Sequence, residues 1–367
     1  MRKRSILFVL GRWTVGGVER VTLTVANALT KRGWMVGIVV FEVVDDSLLK
    51  QLDGRIVVKV LKFPAWSISN FWRIRKTMKQ LGTSYVINQW SNPFPMTVLL
   101  KLAARRNVRF VAFNHTMPSR NKRVTESAGI KKCLFRLVFR LNLCLVYHFN
   151  DAYVLLSGKF VELFARLIGL RSLPKVRVIP NPLPEIKTGK VKKENLILYV
   201  GRLDCVEKRI DRVIDVWRNV SPKLADWKLE IVGDGPDRLR LERRAIGMQR
   251  ISFKGFQDPG PYFSRAKILL LTSDFEGFGL VLVEAQSAGC VPISFASFPS
   301  VTDIINGHNG VAVPIPWDVD RFSAEVLKVA NDECLRDRMA KEGLLSVKRF
   351  SVDSVVDRYE VLLAELE

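Results

Sequence analysis

Twice along this chain a series of short β-rich runs alternates with stretches of helical periodicity, a pattern that points to layered α/β architecture. In the first half the runs are 6–10, 35–41, 56–61, 85–88, 109–113 and 152–156. Between the first two, Val18, Val21, Val25, Ala28 and Leu29 recur at helical spacing and Gly33 supplies a stop. Strand, glycine turn, helix, strand is a βαβ unit, which implies a parallel sheet with helices on its faces. The pattern halts at Ile179-Pro-Asn-Pro-Leu-Pro184, where prolines forbid regular pairing, and a basic stretch, 187–193, follows. It then restarts with runs at 196–200, 229–232, 251–254, 268–272 and 292–295, and helices near 209–219, 237–246, 280–288, 320–330 and 333–346. The expected architecture is two Rossmann-like domains in tandem, and 367 residues suit two cores. A last helix, near 352–366, follows the second series.

Several classes of protein are excluded at once. The longest apolar runs, such as 268–272 and 143–147, are far below the roughly 20 residues of a spanning helix. Met1-Arg-Lys-Arg followed by an apolar run imitates a signal peptide. That run ends at Gly11 and Arg12 without a small-residue cleavage site, and it reads as a first strand. The five cysteines (133, 144, 205, 290, 334) form no C-x-x-C pair, and the three histidines (115, 148, 308) are widely dispersed. Neither a disulfide framework nor a zinc site is indicated, so a cytoplasmic, reduced chain is expected.

Charge divides the chain sharply. Residues 1–185 hold 31 Lys and Arg against 9 Asp and Glu, whereas residues 186–367 hold 27 of each. A basic half beside a neutral one implies two surfaces with different partners: anionic lipid, nucleic acid or a phosphorylated substrate on one reading, a merely solvated face on the other. Within the basic half, Lys132, Arg136 and Arg140 form a cationic stripe on the otherwise aliphatic and aromatic segment 129–149. Such a helix lies either in a lipid interface or in the core with its cations snorkelling to solvent.

Three motifs carry chemistry. The turn Gly11-Arg-Trp-Thr-Val-Gly16-Gly17 joins the first strand to a helix, presenting backbone N–H groups where a phosphate could sit, although a plain tight turn would read the same way. In Tyr199-Val-Gly-Arg202-Leu-Asp-Cys-Val-Glu-Lys208, two cations lie on a strand-to-helix crossover, where open parallel sheets bind ligands. Arg as a fork and Lys as a point charge suit a diphosphate, with solvated loop charges as the alternative. The third motif is Ser273-Asp-Phe-Glu276-Gly-Phe-Gly279-Leu-Val-Leu-Val-Glu284. On one helix its glutamates would stand about 80° apart. Gly277 and Gly279 intervene, so Glu276 belongs to the loop and Glu284 to the first turns of the helix, and both can face one crevice. The alternative is a capping Glu276 with a surface Glu284, but Leu282, Val283 and Ala285 around Glu284 speak against idle solvation. Asp318-Val-Asp320 spells a metal-binding D-x-D, yet it precedes a helix and reads as an N-cap.

Taken in order, Gly16-Gly17-Val-Glu-Arg20, Ile179-Pro-Asn181-Pro, Val200-Gly-Arg202-Leu with Lys208 and Asp211, Val232-Gly-Asp-Gly235-Pro, Phe253-Lys-Gly255-Phe and Glu276-x7-Glu284 resemble the glycosyltransferase family 4 group of retaining GT-B enzymes. The resemblance runs from about residue 5 to residue 350 and is most specific in the C-terminal half. It implies two Rossmann-like domains facing across a cleft: an acceptor-binding domain at 1–183, a linker at 184–194, a nucleotide-sugar domain at 195–348, and a terminal helix at 349–367 that crosses back to the first domain. It further implies that Arg202 and Lys208 neutralise the donor diphosphate, that Glu284 holds the ribose hydroxyls, and that Glu276 contacts the sugar. His115, in Phe113-Asn-His115-Thr, would stand beside the transferred sugar, with a loop-capping histidine as the alternative. Gly16, Gly17, Gly277, Phe278, Gly279 and Leu280 complete the implied donor contacts. Arg209 stands where a glycine is common in the family, and Asp303 where a glutamate is common.

The implied activity is metal-independent and cofactor-free transfer of a sugar, with a UDP-sugar as the expected donor. The expected acceptor is a saccharide or lipid-linked glycan of an envelope polysaccharide, lipopolysaccharide or glycolipid, met at an anionic membrane surface on the inner membrane face. A sugar-nucleotide epimerase or hydrolase of the same architecture is the alternative. A nucleic-acid-binding module is a further one, although the chain lacks an RRM, KH or zinc-finger signature.

Overall fold

Residues 6–10 are at most 2% exposed, as a central strand of a parallel sheet covered on both faces must be. The structure, a computed structural model, describes residues 4–62, 65, 67–89, 94–104, 107–117, 129–185 and 191–367. The basic start at 1–3 and positions 187–190 of the basic stretch lie outside the described residues. The chain forms two compact units, Met1–Pro184 with Ser351–Glu367, and Glu185–Phe350.

Unit 1 runs β1 (Ser5–Trp13), α1 (Gly17–Lys31), β2 (Met35–Val43), β3 (Val57–Val60), α2 (Ile68–Leu81), β4 (Tyr85–Asn88), α3 (Phe94–Ala103) and β5 (Arg109–Asn114). It continues with α4 (Gly129–Phe149), β6 (Ala152–Leu155), α5 (Lys159–Ile168) and β7 (Val176–Val178). Its seven strands lie in the order β3-β2-β1-β4-β5-β6-β7, every neighbouring pair parallel. Leu7, Val9, Val39 and Phe41 of the sheet pack on Ile74 and Met78 of α2 and Leu100 of α3. Farther along, Tyr153 and Leu155 pack on Val146 and Tyr147 of α4 and on Phe160 and Phe164 of α5.

Unit 2 runs β8 (Glu194–Val200), α6 (Ile210–Val220), β9 (Lys228–Val232), α7 (Arg238–Arg244), β10 (Ile251–Gly255), α8 (Gly260–Arg265) and β11 (Ala266–Leu271). Then follow α9 (Leu280–Ser287), β12 (Val291–Phe295), α10 (Val301–Ile304), β13 (Val311–Val313), α11 (Val319–Asn331) and α12 (Glu333–Ser346). The order β10-β9-β8-β11-β12-β13 is again wholly parallel. Both units are therefore Rossmann-like, and in each the strand order reverses beside the first strand.

The final helix, α13 (Val352–Glu365), belongs to unit 1. Arg32, just after α1, reaches Asp353 at 3.1 Å, Asp357 at 2.5 Å and Glu360 at 2.8 Å, while Trp34 Nε1 donates to Glu360 at 2.8 Å. The Tyr359 ring stacks on Phe113 at 5.0 Å.

Two local features differ from the sequence pattern. Gly11 lies inside β1, because β2 is long enough to pair Arg12 with Glu42 and Trp13 with Val43; the turn is confined to residues 14–16. The edge strands β7 and β13, three residues each, carry no periodic signal. Asp318 does cap α11, accepting from the N–H groups of Asp320 and Arg321.

At the carboxyl ends of β8 and β9 the backbones touch. A Cβ on Gly233 (φ 138°) would lie 1.9 Å from the Gly201 carbonyl oxygen, and one on Gly235 would lie 2.4 Å from that of Leu203. Gly233→Ala should therefore lower stability by about 2–3 kcal/mol, from overpacking and backbone strain together. A urea midpoint equal to wild type would contradict this contact.

Candidate functional site

The loops after β8 and β11, adjacent strands at the reversal of unit 2, are joined by a polar stitch. The Asp274 N–H donates to the Glu207 carbonyl at 2.9 Å, and Thr272 Oγ1 donates to the Arg209 carbonyl at 2.9 Å. Arg209 forks onto Asp211 at 3.1 and 3.0 Å and reaches Asp274 at 3.0 Å. Arg212 binds the other Asp274 oxygen at 2.5 Å and the Thr272 carbonyl at 3.1 Å. Its guanidinium also lies against the rings of Phe295 at 5.1 Å and Trp317 at 4.6 Å.

This stitch brings two of the sequence candidates together. Lys208 Nζ lies 2.6 Å from Glu276 Oε1, which also accepts from Ser273 Oγ at 2.8 Å. Arg202 stands at the carboxyl end of β8, paired with Asp204 and Glu207, each at 2.9 Å. Asp204 in turn accepts from the N–H groups of Val206 and Glu207, which shapes the loop that carries Lys208. Both phosphate-binding candidates are thus held in place by carboxylates.

Glu276 lies in the loop and Glu284, 7% exposed, in α9. Between them Gly277 and Leu280 are partly exposed, and Gly279, at φ 89°, caps α9. The Phe278 side chain points away from solvent. It is buried against Phe350, with ring centroids 5.5 Å apart.

Arg209 explains its own departure from the family pattern. Its φ of 50° is in the left-handed region, which glycine enters freely and arginine at a cost of about 1–2 kcal/mol. The bonds to Asp211 and Asp274 hold it there.

In unit 1, Gly16 precedes α1 in extended conformation, and Gly17 opens the helix. The largely buried Glu19 folds back over this turn, accepting from Thr14 Oγ1 at 3.1 Å, and burial raises its pKa. His115 follows β5, its ring stacked on Phe113 at 5.8 Å and its Nε2 in contact with Gln89 Oε1. Burial pushes the imidazole down to about 4, although Asn181 lies close enough to oppose the shift. His115 Nδ1, Gln89 Nε2 and Asn181 Oδ1 are buried with no hydrogen-bond partner among the described residues. Gln89 and Asp274 are residues the sequence reading did not assign. Asp274 could have been found inside the Ser273–Glu276 motif, whereas nothing in the sequence marks Gln89.

The comparisons with known proteins agree on one group. Residues 185–345 match the family described as glycosyl transferases group 1, and residues 15–185 match Glycosyltransferase Family 4. An exopolysaccharide phosphotransferase of Streptomyces coelicolor is 28% identical over 222 residues, 59% of this chain; the alignment spans only 23% of that relative's length. The alpha-1,4-N-acetyl-D-galactosaminyltransferase of Campylobacter jejuni, named for an undecaprenol-linked diphosphate acceptor, is 24% identical over 380 residues, covering 99% of each chain. Among solved structures, Anabaena HepE in complex with UDP and glucose superposes with a TM-score of 0.78 at 17% identity, covering 99% of this chain and 100% of that one.

Two measurements test the site's construction. If the left-handed Arg209 is held by its ion pairs, Arg209→Gly should be about 1 kcal/mol more stable than Arg209→Ala, with both below wild type; equal stabilities would contradict the strain. The folded chain keeps His115 neutral down to about pH 4, while an unfolded one takes up a proton near 6.5. The unfolded state therefore binds more protons between these values. This contribution to stability is complete above the higher value and is lost as pH falls toward the lower. His115→Gln should flatten that part of the stability profile, read from urea midpoints across the interval.

Proposed function

Because the chain belongs to the family 4 group of GT-B glycosyltransferases, we propose that it moves a sugar from a UDP-sugar to a saccharide or lipid-linked acceptor with retention of anomeric configuration. Its products would be envelope polysaccharide, lipopolysaccharide or glycolipid. The observation that carries this reading is the Lys208–Glu276 contact of 2.6 Å at the carboxyl ends of β8 and β11. It supports a ligand in which a diphosphate and a sugar are joined, because the residue assigned to the one stands next to the residue assigned to the other. The choice of UDP draws on the ligand named for Anabaena HepE, and the lipid-linked acceptor on the undecaprenol-linked acceptor named for the Campylobacter enzyme.

In the proposed reaction, the bond between the anomeric carbon and the diphosphate oxygen breaks, and its electron pair stays on the phosphate. Arg202 and Lys208 stabilise the charge that builds there, without a metal ion. The acceptor hydroxyl attacks on the face the phosphate leaves, and its proton passes to the departing phosphate oxygen. No enzyme carboxylate serves as nucleophile. Glu276 holds the sugar hydroxyls, Glu284 those of the ribose, and neutral His115 is assigned to the transferred sugar as an uncharged hydrogen-bonding group. Unit 2 binds the donor and unit 1 the acceptor.

Removal of Lys208 should act on the transition state. Lys208→Ala is expected to lower kcat by about 10²–10³, with EDTA leaving wild-type activity intact. Nucleotide release should rise with added acceptor and yield an α-linked product from an α-linked donor. Full turnover by Lys208→Ala, an inverted product or strict Mn²⁺ dependence would overturn the mechanism, and release indifferent to acceptor would favour a hydrolase.

A further inference from the structure

Residues 54–150 contain 18 lysines and arginines and one acid, Glu126. This span supplies α2, α3 and α4, with α3 packed against both α2 and α4. None of the three helices carries a carboxylate.

Helix α4 has apolar residues on two opposed sides. Leu143, Val146 and Tyr147 face the core of unit 1, and Phe139 packs against the same cluster. Ile130, Leu134, Leu137, Val138 and Leu141 are 55–89% exposed. At 100° per residue these five fall within an arc of ~100°, roughly opposite the buried stripe. The outward apolar face is therefore this aliphatic set, and the phenylalanines 135 and 139 are both partly covered. On α2, Ile74, Thr77, Met78 and Leu81 are buried, while Ile68 and Trp72 point outward at 78% and 60% exposure beside Arg73, Lys76 and Lys79. Leu102, near the end of α3, is 65% exposed. Among the described residues no carboxylate pairs with Arg73, Lys76, Lys79, Lys131, Lys132 or Arg136, and the ion pairs nearest to them in sequence are Arg55–Asp53 and Arg109–Asp151.

Exposed aliphatics and a tryptophan among unpaired cations match the physical demands of a headgroup interface: an apolar face to insert, an aromatic at the boundary and positive charge for anionic lipid. A second copy of the chain would set cations against cations. Nucleic acid would answer the charge but leave five aliphatic side chains in water. We propose that the outer face of α2, α3 and α4 docks on an anionic bilayer, with the α4 aliphatics inserted below the headgroups and the cations of α2, which share a face with Ile68 and Trp72, at the phosphates. No helix among the described residues is long and apolar enough to cross a membrane, so this attachment is lateral.

The test is co-sedimentation of the full chain with phosphatidylglycerol-containing and pure phosphatidylcholine vesicles at low and high salt. Wild type should prefer the anionic vesicles, with a salt-sensitive and a salt-resistant part. Each cation at the surface contributes about fivefold in partitioning, so Arg73→Gln with Lys76→Gln and Lys79→Gln should weaken binding by about 100-fold. Leu134→Ser with Leu137→Ser, Val138→Ser and Leu141→Ser should abolish the salt-resistant part. Independently of these variants, anionic vesicles should blue-shift wild-type tryptophan emission, and Trp72→Phe should remove most of that shift. The UDP-sugar-induced thermal shift, read on the same samples, should persist in every variant; its loss would indict the donor site rather than the docking face. Equal binding to both vesicle types, no binding at low salt, a serine variant that binds like wild type, or a preference for duplex DNA over anionic vesicles would overturn the proposal.

Discussion

Parallel pairing of β8 with β11 sets the constraint under which the candidate donor site is built. Crossovers from the two strands run toward opposite edges of the sheet, so the loops at their carboxyl ends diverge and leave an opening. Divergence alone would separate Lys208 from Glu276. The Asp274 carboxylate prevents this by bonding Arg209 and Arg212, both from the β8 side, while its own N–H bonds the Glu207 carbonyl. Partly buried charges are tolerated there because each meets an opposite charge in good geometry, and Arg212 gains two aromatic faces as well. The same lattice explains how an arginine persists in a backbone region suited to glycine.

The two units treat charge in opposite ways. In unit 2, the two cations proposed to meet the diphosphate are paired with carboxylates: Lys208 with Glu276, and Arg202 with Asp204 and Glu207. Such pairing fixes the position of both side chains. On α2 of unit 1, Arg73, Lys76 and Lys79 stand beside the exposed Ile68 and Trp72 without a carboxylate partner among the described residues. Unit 1 nevertheless uses ion pairs where geometry matters, as at Arg32, which ties α1 to three carboxylates of α13.

Much of the architecture could be read before any coordinates. Compact apolar runs located eleven of the thirteen strands among the described residues, since a buried parallel strand is such a run with turns at its ends. Gly277 and Gly279 correctly split the motif into a loop carrying Glu276 and a helix carrying Glu284. The strands β7 and β13 escaped because three residues at a sheet edge are too few to establish a period. Gly11 was misplaced in the turn because strand length is set by the neighbour: β2 continues to Val43 and draws β1 along with it.

What the residue order settles in this protein is local: which segments pair in parallel, where loops begin, and which charged side chains lie at strand ends. Those properties depend on φ preferences and on apolar spacing over a few residues. The partners of those side chains are a different matter. That Arg209 would adopt φ 50°, that Asp274 would join two loops, that Gln89 would meet His115, and that the outward apolar face of α4 is aliphatic rather than aromatic all depend on segments distant in sequence. Long-range packing chooses among locally equivalent arrangements, because the energy that separates them comes from contacts that exist only once the sheets have assembled.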